Sequence, residues 1–238
     1  MTFANTLPQK EFSKKVEILE NSRSLVSKAY KLIKDEIVSG RIEPGRKLKI
    51  DELKAEFKFG SSVIREALSL LTSDNLVERV DQRGFFVSDV SLNEYEEILN
   101  MRCLLEEQAV RDAVSHGSAL WEEQVISANY RLSRVSRSLD TKRFMSNPAW
   151  EAAHKNFHMT LISACRSSLL IKFCQQLYEH NIRYRELAAV NLYHGRDGIA
   201  EHTEICDAVV NRNADLAASL LLNHYKKSGS LLTPELSK

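Results

Sequence analysis

The chain has 238 residues, 43% hydrophobic and 27% charged, with only 8 Gly and 4 Pro, a composition that suits a real core and disfavours a many-turned β architecture. The formal net charge is +1, with 16 basic against 14 acidic residues in 1–90 and 17 against 18 in 91–238, so any affinity for nucleic acid must come from a local patch. Four scattered cysteines form no Cys-x-x-Cys pair, and neither a leader segment nor a run of about 18 apolar residues is evident, which sets aside disulfide scaffolds and membrane spans and implies a reducing, cytoplasmic setting.

In chain order, residues 1–21 mix charges with isolated apolar residues and read as an arm. From Ser24 a helix is expected, because Ala29, Ile33 and Ile37 recur at four-residue spacing. Gly40 ends it and Pro44-Gly45 makes a turn. A short helix follows over Asp51–Phe57. A third opens near Ser62, expected as its N-cap, with Ile64, Ala67, Leu68 and Leu71 on its inner stripe. The period then changes: Val77–Val80 and Phe85–Val87 read as strands joined by a tight turn that ends at Gly84. Three short helices and a hairpin make the layout of a winged helix-turn-helix over residues 22–90.

Residues 91–238 are expected to be all helical. Ser91-Leu92-Asn93-Glu94 reads as a capping box. Six helices are expected near 92–115, 119–138, 148–165, 167–190, 198–211 and 214–229. Breaks fall at Gly117, Asn147-Pro148, Arg166-Ser167, Gly195 to Gly198, and Arg212-Asn213. The expected fold is thus mainly α, a winged helix-turn-helix followed by an antiparallel helical bundle.

The histidines carry the most chemistry. His154 and His158 lie four apart on the apolar stripe of one helix, so their rings project to the same side. His202 lies among Ile199, Ile205 and Val209, and His224 lies one turn beyond Leu220 and Leu221. Any one of these fits a satisfied core residue. Four on inward faces of three helices fit a divalent transition metal, zinc or by ligand type nickel. Arg102 falls in the inner stripe of Ile98, Leu105 and Ala109, where a charge needs a partner. It suits either a structural salt bridge or a carboxylate anchor. Tyr184 and Arg185 are further candidates for the same pocket, with a solvated or dimer-facing edge as the alternative. His154-Lys155-Asn156-Phe157-His158 has zinc-protease spacing but Lys155 where a catalytic glutamate would stand, which leaves a metal-dependent hydrolase only as a remote alternative.

Two stretches resemble a known family. Ile37-Val38-Ser39-Gly40-Arg41-Ile42-Glu43-Pro44-Gly45-Arg46-Lys47-Leu48, and Ile64-Arg65-Glu66-Ala67-Leu68 with Leu71, Asn75-Leu76-Val77 and Gly84, are similar to the DNA-binding domain of GntR-type regulators. The resemblance implies that Arg65 reaches the major groove. Ser61 and Ser62 would meet phosphate at a helix N-terminus, Arg83 and Gly84 would form the wing tip, and Arg46, Lys47 and Lys49 would add backbone contacts. Many relatives carry Ser-Arg-Thr-Pro where this chain has Gly60-Ser61-Ser62-Val63, so a base-reading arginine is replaced and the operator does not transfer.

Residues 92–228 resemble the FadR-type C-terminal ligand-binding domain (FCD) in its six-helix, VanR-like variant. That resemblance implies a metal held by an Asp-x-x-Phe-His stretch and two further histidines. Here the Asp position is His154, followed by His158, His202 and His224. The loss of a carboxylate makes the expected site more cationic. The resemblance also implies a homodimer, probing palindromic half-sites of a double-stranded operator, that acts as a repressor of metabolic genes. A small organic acid on Arg102 would be the effector. A DNA-binding dimer with a structural metal, or with none, is the alternative.

Overall fold

The computed structural model describes the backbone of residues 9–140, 144–192 and 198–236 and the side chains of 24–140, 144–186 and 198–230. Residues 1–8 of the expected arm and most of the expected break at Gly195 to Gly198 lie outside the described residues. The chain forms two compact units, Met1–Asp89 and Val90–Lys238.

The first unit holds helices α1 (Gln9–Val38), α2 (Ile50–Phe57) and α3 (Ser61–Ser73), and strands β1 (Lys47–Leu48), β2 (Val77–Val80) and β3 (Gly84–Val87). α1 begins well before Ser24, so most of the expected arm is helical in backbone. α1 and α2 both pack on α3. Ala29, Ile33 and Ile37 of α1 close one core with Ile64, Ala67, Leu68 and Leu71 of α3. The N-cap of α3 is Gly60 and not Ser62, and no side chain caps this end. Its first amide groups are therefore left for an outside acceptor.

β2 and β3 pair antiparallel, with Val77 opposite Val87 and Val80 opposite Gly84. Gln82 (φ 58°) and Gly84 (φ 99°) both take left-handed backbone to turn the hairpin. The two-residue strand β1, unforeseen in the sequence, joins the other edge of β3 through Lys47–Phe86 and Leu48–Phe85. It follows the Gly45 turn (φ 73°) and is too short to show a period.

The second unit is a bundle of α4 (Leu92–His116), α5 (Ala119–Ser133), α6 (Pro148–Leu161), α7 (Ser168–Leu192), α8 (Gly198–Val210) and α9 (Ala214–Leu236). α4 packs against α7 and α9, α5 against α6 and α8, and α8 against α9. Val110, Ala113, Val125, Phe157, Leu161, Ile205, Val209 and Leu221 anchor the shared core. The Ser91 hydroxyl accepts from the Glu94 amide at 3.1 Å and starts α4. Asn147 Oδ1 accepts from the Ala149 amide at 3.0 Å, and Pro148 pre-sets the first turn of α6.

α5 stops at Ser133, five residues short of the expected 138. Beyond it Ser138 bridges Ser146 antiparallel, and the Ser138 hydroxyl accepts from the Met145 amide at 2.9 Å. Serine hydroxyls that bond nearby backbone compete with helix, which the apolar periodicity did not register. α6 likewise ends at Leu161 and not 165. Cys165, Cys174 and Cys206 are buried free thiols, and Cys103 is half-buried. No helix of the described residues is long and apolar enough to cross a membrane.

Candidate functional site

On the first unit α3 buries one stripe and leaves Arg65 and Ser62 exposed, with Ser61 half-buried at its first turn. Arg46, Lys47, Arg83 and Gly84 are also exposed. Lys47 and Arg83 both lie over one ring, at 5.7 Å and 5.5 Å from the Phe86 centroid. Cation–π attraction thereby gathers two charges at the sheet end. Phe86 had no sequence signal of its own, because the pairing needs β1 beside β3. Lys49 is taken up by Glu52 at 2.7 Å.

On the second unit, α6 carries His154 and His158 one turn apart, α8 carries His202 and α9 carries His224, and all four are buried. One ligand atom from each lies within 4.8 Å of every other. His154 Nε2 and His158 Nε2 are 3.1 Å apart. Nitrogens that share one ion at bonds of about 2.0–2.1 Å stand roughly 3–4 Å apart, so the spacing fits a single metal.

The outer partners fit as well. Tyr225 donates to Glu106, so its oxygen accepts from His158 Nδ1 at 3.1 Å. That places the ring hydrogen on Nδ1 and leaves the Nε2 lone pair facing the cluster. His224 Nδ1 lies 2.8 Å from Glu201 Oε2 and is set the same way. Tyr178 donates to Glu151 at 3.0 Å and lies 2.7 Å from His154 Nδ1. Burial, together with the neighbouring histidines and Arg102 and Arg185, holds His154 and His158 well below the ordinary imidazole value of 6.5. Both are neutral, as ligands must be.

The site therefore differs in charge from the sequence expectation. With His154 in place of an aspartate no carboxylate of the described residues enters the histidine cluster, yet Glu106, Glu151 and Glu201 stand one or two hydrogen bonds behind it. Sequence reasoning missed these and the two tyrosines. Glu106 was findable, four residues after Arg102 on the same stripe. Tyr178 and Tyr225 were not, since they matter only through the packing of α7 and α9.

Beside the histidines lies a cavity of about 370 Å³, walled by Leu99, Leu132, Val135 and Trp150 and opened to charge by Arg102 and Arg185. Arg102 is 3% exposed. Its Nε donates to Glu106 at 2.8 Å and its Nη1 to Asn181 at 3.0 Å, while buried Nη2 has no hydrogen-bond partner among the described residues. Arg102 is thus a structural salt bridge and also keeps a donor in reserve. Arg185 donates from Nη2 to Glu151, and its buried Nε has no hydrogen-bond partner among the described residues.

Tyr184 does not border the cavity. Its hydroxyl donates to Glu94 at 2.5 Å and its ring packs on Tyr95, which does line the cavity. One residue along α7 turns the side chain about 100° away from Arg185. Of the cavity candidates the structure brings together Arg102, Arg185, His154, His202 and His224, and it leaves Tyr184 outside.

The architecture is that of a winged helix-turn-helix unit followed by a separate all-helical unit, the layout of a DNA-binding regulator. The model of the bacterial regulatory proteins of the gntR family matches residues 25–87, and that of the FCD domain matches residues 97–227. The chain is 36% identical over 219 residues to the uncharacterized HTH-type transcriptional regulator BphR of Paraburkholderia xenovorans, covering 90% of this chain and 87% of that one. It is 27% identical to the HTH-type transcriptional repressor GlaR of Escherichia coli, covering 86% and 91%. In fold it is similar to E. coli McbR/YncC, with a TM-score of 0.70 at 18% identity over 89% of this chain and 98% of that one.

The chain belongs to the GntR family and combines its DNA-binding domain with an FCD domain. It is a transcriptional regulator, and the hydrolase alternative falls with that assignment.

The depressed histidines give a pH dependence. The unfolded chain binds protons near 6.5 that the folded, metal-free protein refuses, so stability is full above that value and is lost as pH falls from 6.5 toward the lower folded values. Urea midpoints of metal-free protein should fall steadily from pH 7.5 to pH 5.5, and more steeply than those of a His154→Gln, His158→Gln double variant. Equal slopes would show that these rings do not titrate in this range.

Proposed function

We propose that this regulator is a homodimeric repressor of metabolic genes, with a divalent metal on His154, His158, His202 and His224 and a small organic acid as effector in the adjoining cavity. The observation that carries this reading is the buried Arg102 guanidinium, which lines the cavity together with His154, His202 and His224 and whose Nη2 has no hydrogen-bond partner among the described residues. A buried donor without a partner costs free energy that a ligand carboxylate recovers. A bound divalent ion would supply a fixed positive charge at the cavity wall, and by donor type it would be zinc or nickel. The named repressor among the relatives supports the sign of regulation.

For DNA, the uncapped start of α3 with Ser61 and Ser62 suits a phosphate. Arg65 faces outward one turn on, where it can reach base edges. Arg46, Lys47, Arg83 and Gly84 would lie along the backbone or the minor groove. Two copies would place two α3 helices on the half-sites of a palindrome. The effector would act by binding one dimer arrangement better than the other.

A second reading has its own support. Four imidazoles would supply all four ligands of a tetrahedral ion, as a closed structural site does. Under it the metal holds α6, α8 and α9 together and leaves no ligand position open.

Three measurements test these readings. Arg65→Ala should weaken operator binding by about 1–3 kcal/mol with loss of sequence preference; unchanged affinity takes it out of the interface. Zinc should raise the melting temperature of the wild-type protein, and His158→Ala should abolish that rise together with the metal content of the purified protein. Arg102→Ala should remove stabilisation by any organic acid found in a thermal-shift screen, and a retained acid response would place the carboxylate elsewhere.

A further inference from the structure

His154 has more partners than it can satisfy at once. Its Nδ1 lies 2.7 Å from the Tyr178 hydroxyl and 3.3 Å from Arg185 Nη1. A hydroxyl can donate or accept, whereas a guanidinium only donates. On the other side, Nε2 is 3.1 Å from His158 Nε2, a lone pair because the His158 hydrogen is committed to Tyr225.

The two neutral forms of His154 therefore organise their surroundings differently. With its hydrogen on Nε2, the ring donates to His158, and Nδ1 is an acceptor for Arg185. With its hydrogen on Nδ1, the ring donates to Tyr178, whose own hydrogen goes to Glu151. Arg185 Nη1 then has no acceptor on the ring, and among the described residues the guanidinium keeps only Glu151 through Nη2. Ligation through Nε2 is compatible with the second form alone. Arg102 is different. Its bonds to Glu106 and Asn181 persist in either form, because Glu106 uses one oxygen for Arg102 and the other for Tyr225.

We propose that His154 is a tautomeric switch: occupancy of the four-histidine centre releases Arg185 Nη1 for an anion in the cavity, while Arg102 serves as a constant anchor. The proposal rests on the metal and effector reading above. It assigns Tyr178 and Glu151 as positioning residues, since they supply the alternative acceptor chain for the His154 hydrogen. The metal and the anion are coupled through a side chain, with no bond between them required, and the coupling is reciprocal.

The test uses full-length protein, zinc, and sulfate as a probe that arginines bind. Imidazole ¹⁵N shifts should report His154 with hydrogen on Nε2 in metal-free protein and on Nδ1 after zinc. Zinc should tighten sulfate binding at least about fivefold, the low end of ordinary coupling. In Arg185→Met sulfate should still bind weakly through Arg102, with an affinity that ignores zinc. Three results overturn the switch: a His154 hydrogen already on Nδ1 without metal, a wild-type sulfate affinity indifferent to zinc, or a zinc effect that survives Arg185→Met. The last would indicate direct coordination of the anion. Should the methionine variant fold poorly, the tautomer change and the zinc effect in wild-type protein decide. A wild-type protein that takes up no zinc would instead remove the metal reading itself, and the switch with it.

Discussion

Desolvation of charge and of polar rings governs the helical domain. Four imidazoles and three guanidinium groups, those of Arg102, Arg183 and Arg185, are withdrawn from water inside one bundle. Each needs hydrogen-bond partners there, because an unpaired buried charge costs several kcal/mol. Glu106 and Glu151 answer Arg102 and Arg185, and Tyr225 and Tyr178 relay the same two carboxylates to His158 and His154. Two chains of the form His–Tyr–Glu–Arg result, one anchored on α4 and α9 and the other on α6 and α7. The first fixes the His158 hydrogen on Nδ1, the second leaves His154 two neutral forms, and Arg102 and Arg185 bring donors to the cavity wall. An acidic ligand is the natural complement of such a wall.

The DNA-binding domain obeys a simpler constraint. α3 must bury Ile64, Ala67, Leu68 and Leu71 completely against α1 and α2. What is left outward is Arg65 and the serine-bearing first turn. The hairpin then adds Arg83, while the short strand β1 brings Lys47 to the same ring of Phe86. The cationic patch is therefore a local product of packing within a chain whose overall charge is nearly neutral.

Much of this was legible from periodicity. The stripes of α1 and α3, the change of period at Val77, the capping box at Ser91 and the Asn147-Pro148 start of α6 all appear where apolar spacing and end chemistry put them. The misses have physical causes. The sequence places Ser62 as a cap, but the cap falls two residues earlier on Gly60. α5 looked longer because apolar spacing continues to Leu139, while serine hydroxyls divert the backbone. Tyr184 and Arg185 looked equivalent as neighbours, but a helix sends adjacent side chains about 100° apart.

The sequence by itself determined which residues share a face: His154 with His158, Arg102 with Glu106, Ile64 with Leu68. A helix fixes those relations at every third or fourth residue without any neighbour. Tertiary structure alone decided that three helices bring their histidines within one metal's reach, and that Tyr178 and Tyr225 stand behind two of those rings. It also gave Arg185 and not Tyr184 to the cavity. Such pairings join residues tens of positions apart, and they follow from how helices dock, which no local period encodes.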